Sequence, residues 1–156
     1  MLTRQINQDS AVRQTAEQFN QLIADEQLTV LWRICKAMGE TIHKAAPAVM
    51  FSQVVQSLFA QLLQLQRQEQ LEALQDIASG AETRIGLAYR DLSSSLKLAF
   101  WYRLAQAHKQ GKFPDVSQDQ RLSEAAKQLL GKLQHLGFNQ KVTFLQTAAE
   151  ELGSHC

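Results

Sequence analysis

Imidazole and thiol are the side chains best suited to metal binding or proton transfer near neutral pH, and the chain has four histidines and two cysteines. His43, His108, His135 and His155 fall on different segments, with no His-Glu-x-x-His or Cys-x-x-Cys spacing to fix a metal in place. No zinc site is expected. The adjacent His155 and Cys156 lack a preorganised shell, and Cys35 stands among apolar residues, where burial raises the pKa that a nucleophile needs lowered. Cys35 therefore reads as an inert core thiol. There is no glycine-rich phosphate cradle and no Gly-x-Ser-x-Gly elbow, and Glu150 and Glu151 read as solvated helix carboxylates. These patterns argue against an enzyme.

The elements that carry these residues read as helices throughout. Two prolines and seven glycines punctuate 156 residues rich in Leu, Ala, Gln, Glu and Lys, and no stretch alternates with period two. Segments are expected at about 10–22, opened by Asp9 or Ser10, and 26–44, capped by Asp25 and stopped before Pro47. Further segments are expected at 49–65, 68–79 with Gly80 as a left-handed cap, and 82–90. The sixth starts from the serines at 93–95 and runs to Gln110, closed by Gly111 and a polar connection containing Pro114. Two more, 123–136 and 140–152, are divided by Gly137 and ended by Gly153.

Two of these segments have an unusual apolar pattern. In the second, Leu28, Leu31, Trp32, Cys35, Met38, Gly39 and Ile42 make one stripe, and Val30, Ile34 and Ala37 make another. In the sixth, Leu98, Trp101, Tyr102, Ala105 and His108 make one stripe and Leu96, Phe100, Leu104 and Ala107 a second, while Arg103, Gln106 and Gln110 face out. Such helices are covered on two sides. They are either the central helices of a bundle or the walls of a ligand cavity lined by Trp32, Trp101 and Tyr102. Gly39 and Gly86, inside helices, suit the close approach of another backbone or of a flat ligand.

Composition narrows the partners. A net charge of +1 gives no field for gathering phosphates, so nucleic acid is not an expected partner. No apolar run reaches the ~18 residues of a membrane span. With no secretory signal pattern, a reducing cytoplasm is the expected compartment.

At Asp25-Glu26-Gln27-Leu28-Thr29-Val30-Leu31-Trp32, Met38-Gly39, Ala45-Ala46-Pro47 and Leu96-Lys97-Leu98-Ala99-Phe100-Trp101-Tyr102-Arg103-Leu104, the chain resembles the N-terminal domain of the cyanobacterial orange carotenoid protein. Gly111, Leu122-Ser123 and Val142-Thr143 fall in the same register, and the resemblance runs from about Phe19 to Gly153. No sensor domain follows in the sequence, so the stand-alone homologues called helical carotenoid proteins are the nearest subgroup.

The resemblance implies an all-α, orthogonal helical domain of two interleaved four-helix bundles, occupying the whole chain. A keto-carotenoid, canthaxanthin or echinenone, is expected in a central tunnel. Burying ~600 Å² of polyene contributes roughly 15 kcal/mol gross at 25 cal/mol/Å², before ordering costs, so no charged contact is needed. Trp32 and Trp101 match positions that pack on a carotenoid ring. Tyr102, Leu28 and Leu98 match others of the binding region, and Leu74, Val116 and Val142 match further tunnel positions. Leu31, Cys35, Ala105, His108, Leu145 and Gln146 complete the candidate site. Three departures stand out: Cys35 replaces a tyrosine of the family's light-switched member, His108 a methionine, and Gln146 an arginine that bridges to the sensor domain and helps dock on the antenna. The resemblance thus implies constitutive photoprotection by quenching singlet oxygen, without light switching. Quenching of phycobilisome excitation, docking with a sensor-domain homologue and carotenoid carriage are alternatives within the family, and a pigment-free helical adaptor is one outside it. A monomer or weak homodimer near the thylakoid membrane is expected.

Overall fold

The computed structural model describes residues 2–45, 52–114 and 122–153, with side-chain surroundings in the first stretch described for 10–38. Eight helices are described: α1 Leu2–Gln21, α2 Ala24–Ala45, α3 Gln53–Leu63, α4 Arg67–Ser79, α5 Arg84–Arg90, α6 Ser94–Lys109, α7 Glu124–Gln134 and α8 Phe138–Glu151. Their ends follow local chemistry. Thr83, Ser93 and Ser123 each place a side-chain oxygen on the amide three residues ahead, at 3.2, 3.3 and 3.2 Å, opening α5, α6 and α7. Glu69 and Gln140 reach back to the backbone amides of Gln66 and Gly137 to open α4 and α8.

The starts of α1 and α2 and one apolar assignment differ from the sequence reading. Helix α1 starts at Leu2 rather than near Ser10, because no proline or glycine precedes Ser10 and its exposed side chain is tolerated inside the helix. Asp25 does not cap α2. The helix begins two residues earlier, at Ala24, with the Ile23 carbonyl accepting from the Gln27 amide at 2.9 Å, and Asp25 sits in the first turn, where the positive end of the helix favours a carboxylate. Ala37, assigned to an apolar line, is exposed. The expected start of α3 at Val49 and the surroundings of Gly39 lie outside the described residues.

Helices α1, α2, α7 and α8 form one group and α3 to α6 the other. The groups interleave because α2 packs on α4 and α6, and α6 packs on α8. The doubly apolar helices α2 and α6 are thus central, and one continuous core joins all eight helices. The first and last helices meet through Phe19 and Phe144, whose rings stand edge to face at 5.7 Å, and through Asn20, which donates to Glu151 at 2.7 Å. Glu151 is therefore half-buried rather than solvated.

Buried polar groups link the helices at fixed points. Gln27 donates to the Phe19 carbonyl, Gln70 to the Leu62 carbonyl and Lys97 to the Glu150 carbonyl at 2.9, 3.2 and 3.2 Å. Glu26 accepts from the Ser123 amide at 2.8 Å, tying the start of α2 to the start of α7. Gly80 and Gly153, with φ of 74° and 80°, end α4 and α8 against each other, so that a Cβ on Gly80 meets the Gly153 carbonyl oxygen. A Cβ on Gly86 meets the Ala81 carbonyl, which supplies the close backbone approach expected there.

Candidate functional site

The two tryptophans, each fully buried, anchor separate aromatic centres on α2 and α6. Trp101 lies against Phe100 and Tyr89, with ring centroids 5.5 and 6.1 Å away and edge-to-face geometry. Its indole N–H donates to the Tyr89 hydroxyl at 2.8 Å, and that hydroxyl donates to the Ala149 carbonyl at 2.7 Å. The chain of bonds joins α6, α5 and α8 and holds the indole in one orientation. Lys97, largely buried, places its ammonium 5.4 Å from the centre of the Tyr89 ring.

Burial pushes the Tyr89 hydroxyl far above its ordinary pKa, so it remains a proton donor. Tyr89→Phe removes the acceptor for Trp101 and the donor for Ala149 together. A loss of about 1–3 kcal/mol is expected in a urea titration. Unchanged stability would mean that water replaces the hydroxyl.

Trp32 forms the second centre. His108 meets its edge at a centroid distance of 5.6 Å and Phe113 lies at 6.2 Å, while the Lys36 ammonium stands 5.7 Å from its ring. His108 Nδ1 donates to the Phe113 carbonyl at 2.9 Å, which fixes the imidazole beside the indole. Outside this centre, an open cleft of about 580 Å³ lies between the start of α4 and the end of α6, bordered by Arg67, Gln70, His108, Lys112 and Phe113.

The other candidate residues distribute as follows. Leu28, Leu31, Cys35, Leu74, Leu98, Tyr102 and Leu145 join both tryptophans in the continuous core, and Ala105 is buried. Val142 is partly buried against that core and Gln146 is half-buried on α8. Val116 lies outside the described residues. Tyr89 and Phe113 were missed by the sequence reading. Gly86, three residues before Tyr89 on a short helix, was the available signal for the first, and a lone aromatic beside Pro114 for the second.

Cys35 is fully buried, and burial pushes its thiol well above the ordinary range. In a Cys156→Ser background, its reaction with a disulfide reagent is expected to be about 10³-fold or more slower in the folded chain than in urea. Fast reaction of the folded chain would mean that the core opens locally around α2. Among the described residues no group of His, Cys, Asp and Glu could hold a metal ion, and no helix is long and apolar enough to cross a membrane.

Residues 5–155 match the family model described as orange carotenoid protein, N-terminal. The chain belongs to this family. An orange carotenoid-binding domain-containing protein of Nostoc sp. (strain PCC 7120) is 34% identical over 148 residues, covering 95% of this chain and 86% of the relative. The orange carotenoid-binding protein of Synechocystis sp. (strain PCC 6803) is 31% identical over 139 residues, and the match spans 89% of this chain but 44% of that protein. Among solved structures, the Anabaena (Nostoc) sp. PCC 7120 orange carotenoid protein binding canthaxanthin superposes with a TM-score of 0.79 at 31% identity, covering 92% of this chain and 46% of that one. The Red Carotenoid Protein of the same organism, binding a mixture of carotenoids, gives 0.73 at 27% identity, covering 91% and 97%. The orange carotenoid protein N-terminal fold is thus the fold of this chain.

The residues present fit a carotenoid. Helices α2 and α6, with 22 and 16 residues, extend for roughly 33 and 24 Å, commensurate with a polyene on the order of 25 Å long. Both carry fully buried indoles set in aromatic surroundings, which suit a flat apolar ring.

Proposed function

We propose that this chain binds a keto-carotenoid, canthaxanthin or echinenone, between its two helix groups and acts constitutively in photoprotection by quenching singlet oxygen. The carrying observation is the placement of Trp32 and Trp101, each fully buried and ringed by aromatic groups, on the two central helices of an orange carotenoid protein N-terminal fold. On this reading residues 19–153 make one pigment-holding unit. Leu28, Leu31, Leu74, Leu98, Tyr102, Ala105, Val142 and Leu145 line it, together with Cys35, His108, Val116 and Gln146. The relatives' named ligands support the pigment class.

When bound, the carotenoid supplies the quenching chemistry, since its polyene accepts excitation and releases it as heat. The chain's own residues hold and exclude. Trp101, oriented by its hydrogen bond to Tyr89, presents a fixed aromatic edge, and Trp32 packs against the rings of His108 and Phe113. The apolar walls of α2 and α6 keep water from the polyene. No proton transfer is required of any side chain, so a thiol and a phenol that remain protonated are no obstacle. Gln146, in place of a bridging arginine, supports constitutive action over light switching.

Expression in canthaxanthin-making cells, followed by visible spectroscopy of the purified chain before and after blue light, tests the reading. A strong light-insensitive band near ~500 nm, as for an aromatic-lined keto-carotenoid site, and faster decay of singlet-oxygen luminescence are expected. A folded but colourless protein would favour the pigment-free adaptor. A band that changes with light would overturn the constitutive part alone.

A further inference from the structure

Lys97 and Trp101 stand at i and i+4 on α6 and so share a face of the helix. Both reach Tyr89 on α5. The indole N–H donates to the phenol oxygen at 2.8 Å, and the Lys97 ammonium stands 5.4 Å from the centre of the phenol ring. The same ammonium donates to the Glu150 carbonyl at 3.2 Å, next in the chain to the Ala149 carbonyl that accepts from the Tyr89 hydroxyl at 2.7 Å. We infer that Lys97 is a positioning residue of the pigment site: its charge fixes Tyr89, and Tyr89 fixes the Trp101 indole against which a carotenoid ring rests. The inference rests on the carotenoid reading above and adds to it a residue that acts on the pigment through two others.

The charge at this position, more than its bulk, calls for a reason. Lys97 is only 6% exposed and makes no ion pair with a carboxylate among the described residues, since its bond to Glu150 is to the backbone and the Glu150 side chain is exposed. A methionine has nearly the same length and carries no charge to desolvate. Two contacts compensate the ammonium. Glu150 lies in the last turn of α8, where carbonyls lack intrahelical donors and carry the negative end of the helix dipole. The face of the Tyr89 ring supplies the second contact. What stabilises the charge therefore also constrains the residue that holds Trp101.

A cation over the ring draws electron density from the phenol, which strengthens its O–H as a donor to Ala149 in surroundings of low dielectric constant. With the hydroxyl so directed, its lone pair stays turned to the Trp101 N–H, and the indole keeps one orientation. A carotenoid ring stacked on a fixed indole is held near one torsion, and the optical activity of the polyene follows that torsion. Without the charge the hydroxyl is freer to turn, and the indole with it.

The test compares the full chain with three variants. Lys97→Met removes charge and donor, Lys97→Gln keeps a donor without the charge, and Lys97→Arg keeps both. Each is prepared pigment-free with its indoles labelled with nitrogen-15, and the Trp101 N–H signal is identified by its loss in Trp101→Phe. In the Met and Gln variants hydrogen exchange of the Trp101 indole is expected to be about tenfold or more faster than in the wild type, with that of Trp32 unchanged to within about twofold. The Arg variant is expected to restore slow exchange. Each chain is also loaded in canthaxanthin-making cells, where the Met and Gln variants are expected to retain pigment but lose about half or more of the visible circular dichroism per bound pigment.

Wild-type exchange and dichroism in the Met and Gln variants would overturn the inference and leave carotenoid binding standing. Equal acceleration of both indoles would overturn it too, because loss of global stability alone has that signature. Full restoration by Gln would show that a hydrogen bond suffices and would overturn the role of the charge. If the Met variant fails to fold, the comparison of Gln with Arg decides. A wild type that retains no pigment would instead remove the carotenoid reading, and pigment-free exchange would still decide whether Lys97 fixes Trp101.

Discussion

Trp101→Ala is expected to lower the stability of the pigment-free chain by about 3–5 kcal/mol and to abolish most pigment retention. The indole is fully buried against Phe100 and Tyr89, so truncation opens a large cavity among rings that cannot collapse into it. It also removes the N–H that the Tyr89 hydroxyl accepts. For a chain of this size the loss corresponds to a fall of roughly 6–20 °C in melting temperature. Urea titration measures the first effect and visible absorbance per protein the second. Trp101→Phe separates them, since it keeps an aromatic face and loses the hydrogen bond. Its stability is expected to fall between those of wild type and Trp101→Ala, with most pigment retained. A folded Trp101→Ala chain with undiminished pigment would show that no ring of the carotenoid rests there.

Gly80→Ala is the second large effect, expected at about 2–4 kcal/mol. Two costs combine at this position. A left-handed φ of 74° disfavours any side chain, and the added methyl meets the carbonyl of Gly153, so the end of α4 or the end of α8 must move. Arg90 also donates to the Gly80 carbonyl at 2.8 Å, and that bond is disturbed when the turn shifts. Gly111 provides the control. Its φ of 78° is equally left-handed, yet a methyl there meets nothing within 4 Å. Gly111→Ala should therefore show only the conformational cost, about 1–2 kcal/mol. Equal losses in the two variants, read from thermal melts, would show that the close packing of Gly80 on Gly153 carries no energetic weight.

The same contrast explains how much of the molecule could be read from its sequence. Ser93, Gly80 and Gly153 act where their local chemistry placed them, since a cap involves residues within a few positions of one another. The stripes that made α2 and α6 central were legible because two apolar faces on one helix require neighbours on both sides. Tyr89 was not legible as the partner of Trp101, because a tyrosine on a seven-residue helix has no periodicity to mark it, and only the meeting of α5, α6 and α8 gives its hydroxyl two partners. Phe113 likewise becomes part of the Trp32 centre only through the turn that follows α6. Glu151 looked solvated for a similar reason: its partner, Asn20, lies on the first helix.

The pairing of α1 with α8 also affects how the chain is made. Asn20 and its partner Glu151 are 131 residues apart, so at about 5–20 residues per second the first helix is synthesised roughly 7–26 s before the contact that fixes it. Throughout that interval Phe19 lacks its edge-to-face partner Phe144, and the apolar side of the nascent helix is open to chaperones or to the wrong neighbour. Helices α3 to α6, whose mutual contacts span shorter loops, can collapse while α7 and α8 are still to be translated. Helix α1 is thus among the last of the described helices to reach its native place, and docking of α8 completes both the α1 contact and the Ala149 bond of the Trp101 centre.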